Sequence, residues 1–210
     1  MIRAEVAFRA TRRSASEQER PDVAQARAWR ARRPSLNPAR LVFIVETWAT
    51  TNMTRRHGRS LRGSRLIAGV PHGHWKISTF VAGLRNDRLT APFVVDGAMN
   101  GIIFYAYVGQ VLAPTLSPGG LVIMDSLASH KVTGVREAIE ARGASVLYLP
   151  PYSPDLNPIE QAFAKLKALL RSLAAPSIDA PWSGLGSLLS CFSAAECANY
   201  LANAGYLRST

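Results

Sequence analysis

The sequence predicts an α/β domain, and three observations predict it. Short apolar runs that are typical of buried strands occur along the chain, with 41–46 and 121–125 the clearest. In the second half, such runs alternate with amphipathic stretches in the order helix, strand, helix, strand, helix. The 210 residues, 48% of them hydrophobic and 19% charged, are enough for one globular domain with an extension. Strands that alternate with helices give an α/β fold.

The elements can be placed in chain order. Residues 1–34 form a basic N-terminal segment, in which Pro21 begins a short helix over 21–33 and Pro34 ends it. Residues 35–208 form the domain. Predicted strands lie at 41–46, 65–70, 76–84, 90–95, 121–125 and 145–149. Predicted helices lie at 100–112, 131–142, 158–173, 187–192 and 194–204. Asn157 is expected to cap the helix that begins at Pro158.

The charge balance indicates which class of molecule the protein binds. The chain has 25 basic and 14 acidic residues, a net charge of +11, which favours a polyanion, and nucleic acid above all. No apolar run approaches the length of a membrane span, and the N-terminus lacks the apolar core of a signal peptide. We therefore expect a cytoplasmic protein that associates with DNA rather than with a membrane.

Two arginine-rich segments are the candidate DNA contacts. The segment 52–65 has five arginines and no acidic residue, and it is predicted to form a turn or a hairpin arm. Its charge density suits contact with phosphates, although a solvated loop is the alternative. The helix over 21–33 is either a DNA-contacting linker or a solvated helix packed by Val23 and Trp29. The arginines that we expect to bind DNA are Arg55, Arg56, Arg59 and Arg62.

Two carboxylates stand in contexts that suit metal-dependent chemistry. Asp125 ends the apolar run Leu-Val-Ile-Met, and Glu160 lies in the first turn of a predicted helix, with 34 residues between the two acids. Carboxylate oxygens held on rigid elements at one end of a sheet are how proteins bind divalent ions for phosphodiester chemistry. Asp125 and Glu160 are therefore the candidate catalytic and metal-binding residues.

The motifs around these acids resemble those of the DDE transposases of the bacterial insertion-sequence and mariner superfamily. The resemblance runs from about residue 16 to about residue 206, and its most specific block is Pro-Pro-Tyr-Ser-Pro-Asp-Leu-Asn-Pro-Ile-Glu at 150–160. It implies an RNase H-like fold, a mixed five-stranded sheet with helices on both faces. It also implies DNA strand cleavage and transfer with two Mg²⁺ or Mn²⁺ ions, and a dimer on paired transposon ends. Asp125 and Glu160 match the second and third acids of that family.

One position departs from the family pattern. The family's first catalytic Asp ends its first strand, just before Glu-Thr, and here that position is Val45. Glu46 would face the opposite side of the strand unless a bulge intervenes. Asp96 and Asp155 do not end a strand expected beside Asp125. The sequence therefore predicts an impaired site with a doubtful second metal ion.

Two further residues follow Asp125 closely. We expect His130 and Lys131 to contact DNA, although capping or packing is an equal alternative for His130. Family members bind their ends through helix-turn-helix units, which the 40 residues before the first strand cannot hold as a pair. A truncated remnant, the second frame of a frameshifted element and a wrongly assigned start would each account for this, and a helix-turn-helix half could be encoded separately.

Three functions are compatible with these observations. The first is a transposase catalytic domain with impaired activity, favoured by the blocks around Asp125 and Glu160. The second is an inactive DNA-binding or dimerising remnant, favoured by Val45. The third, a ribonuclease or Holliday-junction nuclease on the same fold, is disfavoured by the transposase-like Pro-Pro-Tyr-Ser-Pro motif at 150–154.

Overall fold

A computed structural model describes residues 27–50, 61–63, 65, 77–151, 153–173 and 188–206 of the chain. Five strands form a single sheet: β1 Leu41–Thr50, β2 Ile77–Leu84, β3 Leu89–Asp96, β4 Leu121–Met124 and β5 Ser145–Tyr148. The α-helices in these ranges are α1 Gly101–Tyr107, α2 Val135–Glu140, α3 Ile159–Leu173 and α4 Ala194–Asn203. Short 3-10 helices lie at Arg27–Ser35, Pro38–Arg40, Ala113–Thr115, Ala128–Lys131 and Pro154–Leu156.

The sheet is mixed, with the strand order β3-β2-β1-β4-β5. The chain forms an antiparallel meander through β1, β2 and β3. It then crosses to the other side of β1 and adds β4 and β5 in parallel. The predicted five-stranded mixed sheet is confirmed. Its central strand, β1, is covered on both faces, which is why its sequence is a continuous apolar run rather than an alternating one.

The side chains of β1 divide between two cores. Leu41, Phe43 and Val45 pack on the face that is covered by α3 and α4. Val42 and Ile44 pack on the other face, where α1 and α2 lie. The period of two along a strand produces this division. The prediction of helices on both faces of the sheet is confirmed.

Several boundaries differ from those expected. β1 extends four residues beyond Glu46 because it continues to pair with β2 as far as Thr50. The helix expected over 131–142 begins at Val135, because Gly134 has a positive φ of 94° and separates it from the preceding 3-10 turn. The strand expected at 65–70 and most of the arginine-rich segment 52–65 lie outside the described residues.

The described part of the N-terminal segment packs onto the domain. Trp29, in the 3-10 helix Arg27–Ser35, is buried and meets the Tyr206 ring edge-on at 5.8 Å. Pro34 lies inside this helix rather than ending it. These contacts favour the packed alternative for residues 27–35, while residues 21–26 are outside the described ranges. No described helix is long and apolar enough to cross a bilayer.

Candidate active site

Asp125 and Glu160 line the same cavity at one end of the sheet. Asp125 directly follows β4, and Glu160 lies in the first turn of α3. The cavity has a volume of about 430 Å³. Its wall is formed by the two loops that follow β4 and β5, and it includes Ser126, Leu127, Leu149, Pro150, Pro151, Ser153, Pro154 and Asn157. The two candidate carboxylates are therefore brought together, as the sequence predicts.

The loop between β5 and α3 is held at several points. The Ser126 hydroxyl donates to the Leu149 carbonyl at 2.8 Å, which joins the ends of β4 and β5. The Tyr206 hydroxyl donates to the Leu156 carbonyl at 2.6 Å from beneath the loop. Leu156 and Ile159 are fully buried. The approach to Glu160 is thus fixed by packing and hydrogen bonds as well as by its prolines.

Asn157 does not cap α3 through its side chain, so this expectation is wrong. Its backbone carbonyl accepts from the Glu160 amide at 3.3 Å, and the next amide, that of Gln161, donates to the Pro158 carbonyl. These two backbone amides of the first turn therefore already have backbone carbonyls as acceptors. The Asn157 side-chain oxygen is buried without a hydrogen-bond partner.

The environment of Glu160 disfavours its charge. Burial raises the pKa of its carboxyl group, the cation of Lys167 opposes that rise, and the negative charge of Asp125 adds to it. Lys167 lies two helical turns beyond Glu160 and therefore on the same face of α3. Its ammonium stands 5.4 Å from the centre of the exposed Trp48 ring. Sequence reasoning missed Lys167 and Trp48, although the spacing of seven residues from Glu160 could have indicated the lysine.

Val45 lies beside Asp125 in the sheet. The parallel register pairs Ile44 of β1 with Met124 of β4, so Val45 and Asp125 are the next residues on the two strands. Val45 is only 4% exposed and packs in the same core as Leu149, Leu156 and Ile159, on the α3 side. A carboxylate at position 45 would point towards the element that carries Glu160. This position therefore holds a buried apolar side chain beside Asp125, on the α3 side of the sheet.

Glu46 faces away from this cavity. It lines a separate cavity of about 380 Å³ with Thr47, Trp48, Ile77, Thr79, Ala98 and Met99. Its carboxylate lies 3.6 Å from Nε2 of His130, and Nδ1 of the same ring lies 2.5 Å from the Asp125 carboxylate. Burial by itself would lower the pKa of His130, but its contacts with Asp125 and Glu46 outweigh burial and raise that pKa to about 9.

The other sequence-predicted residues lie apart from the cavity or at its margin. Asp96 ends the edge strand β3, which β2 and β1 separate from β4. Asp155 forms an ion pair with Arg30. His130 is fully buried, which favours the packing alternative over direct contact with DNA. Arg62 and Lys131 are exposed, whereas Arg55, Arg56 and Arg59 are outside the described residues.

The solved structures with a similar fold include several of Mos1 transposase. A pre-cleavage Mos1 transpososome matches with a TM-score of 0.73 and 15% identity, over 97% of this chain and 64% of that one. The catalytic domain of Mos1 mariner transposase matches with a TM-score of 0.63 and 13% identity, over 93% of this chain and 92% of that one. The chain thus spans about two thirds of the Mos1 chain in the transpososome. A search of curated proteins gave no match.

The sheet order and the helices on both faces define an RNase H-like fold, in which Asp125 at the end of β4 and Glu160 in the first turn of α3 line one cavity. A family model described as DDE superfamily endonuclease matches residues 40–180. The chain belongs to that family.

Proposed function

We propose that this chain is a transposase catalytic domain that binds DNA and one divalent metal ion, and that its strand cleavage is impaired by Val45. The observation that carries the proposal is the strand register, which sets Val45 beside Asp125 on the face that carries Glu160. The chain keeps two carboxylates in the cavity, but the position that holds the remaining acid in the family pattern is the apolar Val45.

The donor set supports one ion better than two. Asp125 and Glu160 supply hard oxygen ligands of the kind that Mg²⁺ and Mn²⁺ prefer. Within the described residues, no group of three or more His, Cys, Asp or Glu side chains could hold a metal. Structures of Mos1 paired-end complexes contain Mn or Mg, and we infer the same choice of ion here. A bound ion would stabilise the charge that develops on the phosphate oxygens during cleavage.

The chain's own residues would prepare the site for that ion. Burial raises the pKa of Glu160, so a bound ion would compete with the proton and hold this carboxylate in its charged form. Lys167 opposes that shift and holds positive charge beside the cavity. The rigid loop between Pro150 and Leu156 fixes the first turn of α3 and with it the direction of Glu160.

We propose that DNA is the substrate and that the exposed basic residues contact it. Lys131 and Arg62 are exposed, and we propose that they contact phosphates together with Arg55, Arg56 and Arg59. Mos1 forms a paired-end complex with its left transposon end. We infer that this chain acts as a homodimer on DNA, and that a helix-turn-helix half encoded separately would deliver the ends.

The test restores the missing carboxylate. Val45→Asp should confer Mn²⁺-dependent nicking of end-containing DNA, and the parent should nick far more slowly. Val45→Asn is the matched control, since it introduces a polar side chain of nearly the same size without the charge. If the parent nicks as fast as Val45→Asp, the valine at position 45 does not impair strand cleavage.

A second candidate function also follows from the substitution at position 45. Val45 also favours a DNA-binding or dimerising protein that joins a transposase complex without cleaving. If Val45→Asp binds two Mn²⁺ ions and DNA yet cleaves nothing when a helix-turn-helix half is supplied, this second function is favoured.

A further inference from the structure

His130 is held in one orientation by its surroundings. Its side chain is fully buried, and its ring lies against Phe104 with the ring centres 4.2 Å apart and the planes 30° apart. The backbone amide of His130 donates to the Leu127 carbonyl at 3.1 Å, and its carbonyl accepts from the Tyr148 hydroxyl at 3.1 Å. Both the ring and the backbone are therefore fixed, with Nδ1 and Nε2 directed at different carboxylates.

Asp125 depends on this ring for its orientation. Its side chain is 33% exposed at the mouth of the cavity. The one hydrogen bond described for its carboxylate comes from the Leu127 amide and is long, at 3.4 Å, whereas the contact with His130 is an ion pair. The contact of 2.5 Å with His130 is therefore the strongest restraint on the direction of this carboxylate.

Glu46 acts on the same ring from the other side. Its Oε2 is buried, and the distance of 3.6 Å to Nε2 of His130 is too long for a hydrogen bond but suits an ion pair. Glu46 lines its own cavity and not the one that Asp125 and Glu160 share. The contact with His130 is the one described link between Glu46 and Asp125.

We propose that Glu46 and His130 are positioning residues for the metal site, with Glu46 orienting the imidazole and the imidazole aiming Asp125 into the cavity. The proposal rests on the proposed function of Asp125 as a metal ligand. It gives Glu46 a role that is separate from the missing acid at position 45, because the two residues lie on opposite faces of β1. Groups that orient a ligand in this way commonly change metal affinity by about 10- to 100-fold.

The experiment compares two neutral replacements of His130. His130→Asn keeps an N–H close to the place of Nδ1, whereas His130→Phe keeps a ring against Phe104 but has no donor. Both variants remove the positive charge, and only His130→Phe keeps the ring contact with Phe104, so weaker binding in His130→Phe would report the missing N–H donor and not a loss of packing. Mn²⁺ binding, followed by electron paramagnetic resonance of the free ion, should be about tenfold weaker in His130→Phe than in His130→Asn.

A second pair of variants examines Glu46. Glu46→Gln keeps a polar oxygen near Nε2 without the charge, and Glu46→Leu keeps neither, so Mn²⁺ binding should be weaker in Glu46→Leu by several-fold. Tyr107→Phe is the packing control, because it removes a buried hydroxyl that donates to the Ala91 carbonyl on the same side of the sheet. It should leave Mn²⁺ affinity within twofold of the parent.

The outcomes separate this inference from the proposed function. Equal Mn²⁺ affinity in His130→Asn and His130→Phe would overturn the positioning role, even where Asp125→Asn abolishes binding. A loss in Glu46→Leu as complete as that in Asp125→Asn would also overturn it, since Glu46 would then be a ligand itself. Mn²⁺ binding that is absent from the parent, or unchanged by Asp125→Asn, would instead refute the proposed metal site.

Discussion

The buried His130 makes the stability of the metal-free domain depend on pH. Its pKa is raised from the usual 6.5 to about 9 by Asp125 and Glu46. A raised folded-state pKa means that the folded chain holds the proton more tightly than the unfolded chain. The stabilisation is therefore fully present below pH 6.5, and it is lost as the pH rises through about 9.

The size of this contribution follows from the two pKa values. A tenfold change in proton affinity corresponds to about 1.4 kcal/mol, so a rise from 6.5 to about 9 corresponds to about 3 kcal/mol at most. The side chain is fully buried, so solvent screens this contribution little. We expect the free energy of unfolding to fall by up to that amount between pH 6.5 and pH 9.5.

Urea unfolding at several pH values, in the presence of a chelator, measures this loss. His130→Phe is the matched variant, because it keeps a ring in the Phe104 contact and cannot titrate. Other groups change charge in the same range, so the quantity of interest is the difference between the two pH profiles. If the parent and His130→Phe lose stability in parallel, His130 does not carry a raised pKa and the reasoning is refuted.

Three other expectations concern DNA and local structure. Tyr206→Phe should lower the free energy of unfolding by about 1 kcal/mol, measured by urea unfolding, because the Leu156 carbonyl loses its buried donor. Gly134→Ala should cost at least about 1 kcal/mol in the same assay, because φ is positive there and a Cβ would stand 2.6 Å from the Tyr105 ring; an unchanged stability would contradict this. DNA affinity should fall with salt with a logarithmic slope near −5 if about six phosphates are contacted, and the slope should flatten when alanine replaces the arginines Arg55, Arg56, Arg59 and Arg62.

Short-range patterns and the family resemblance predicted most of the fold. The apolar runs at 41–46 and 121–125 correspond to β1 and β4. The strand period of two correctly predicted that Glu46 and Val45 lie on opposite faces of β1. The end of β1 was predicted too early because Thr47 to Thr50 are held by pairing with β2, which a local pattern does not contain.

The site could be predicted less fully than the fold. The positions of Asp125 and Glu160 follow from the strand end and the helix start, so the sequence could bring them together. The contacts of His130 depend on how the 3-10 turn that carries it packs this ring against Phe104, and no spacing encodes that. The expected cap by Asn157 failed because a 3-10 turn at Pro154–Leu156 precedes it and the backbone engages the amide of Glu160 first.

The packing of residues 27–35 bears on how the domain would be joined to anything before it. Trp29 contacts Tyr206, Arg33 donates to the Ala204 carbonyl, and Arg30 pairs with Asp155 just before α3. The chain is therefore clamped to the domain close to the turn that carries Glu160. A force that acts through the chain before Arg27 would be borne by this clamp and not by the start of β1. Fragments cut at residue 35 would lose this clamp, so a fragment for further study should begin before Arg27.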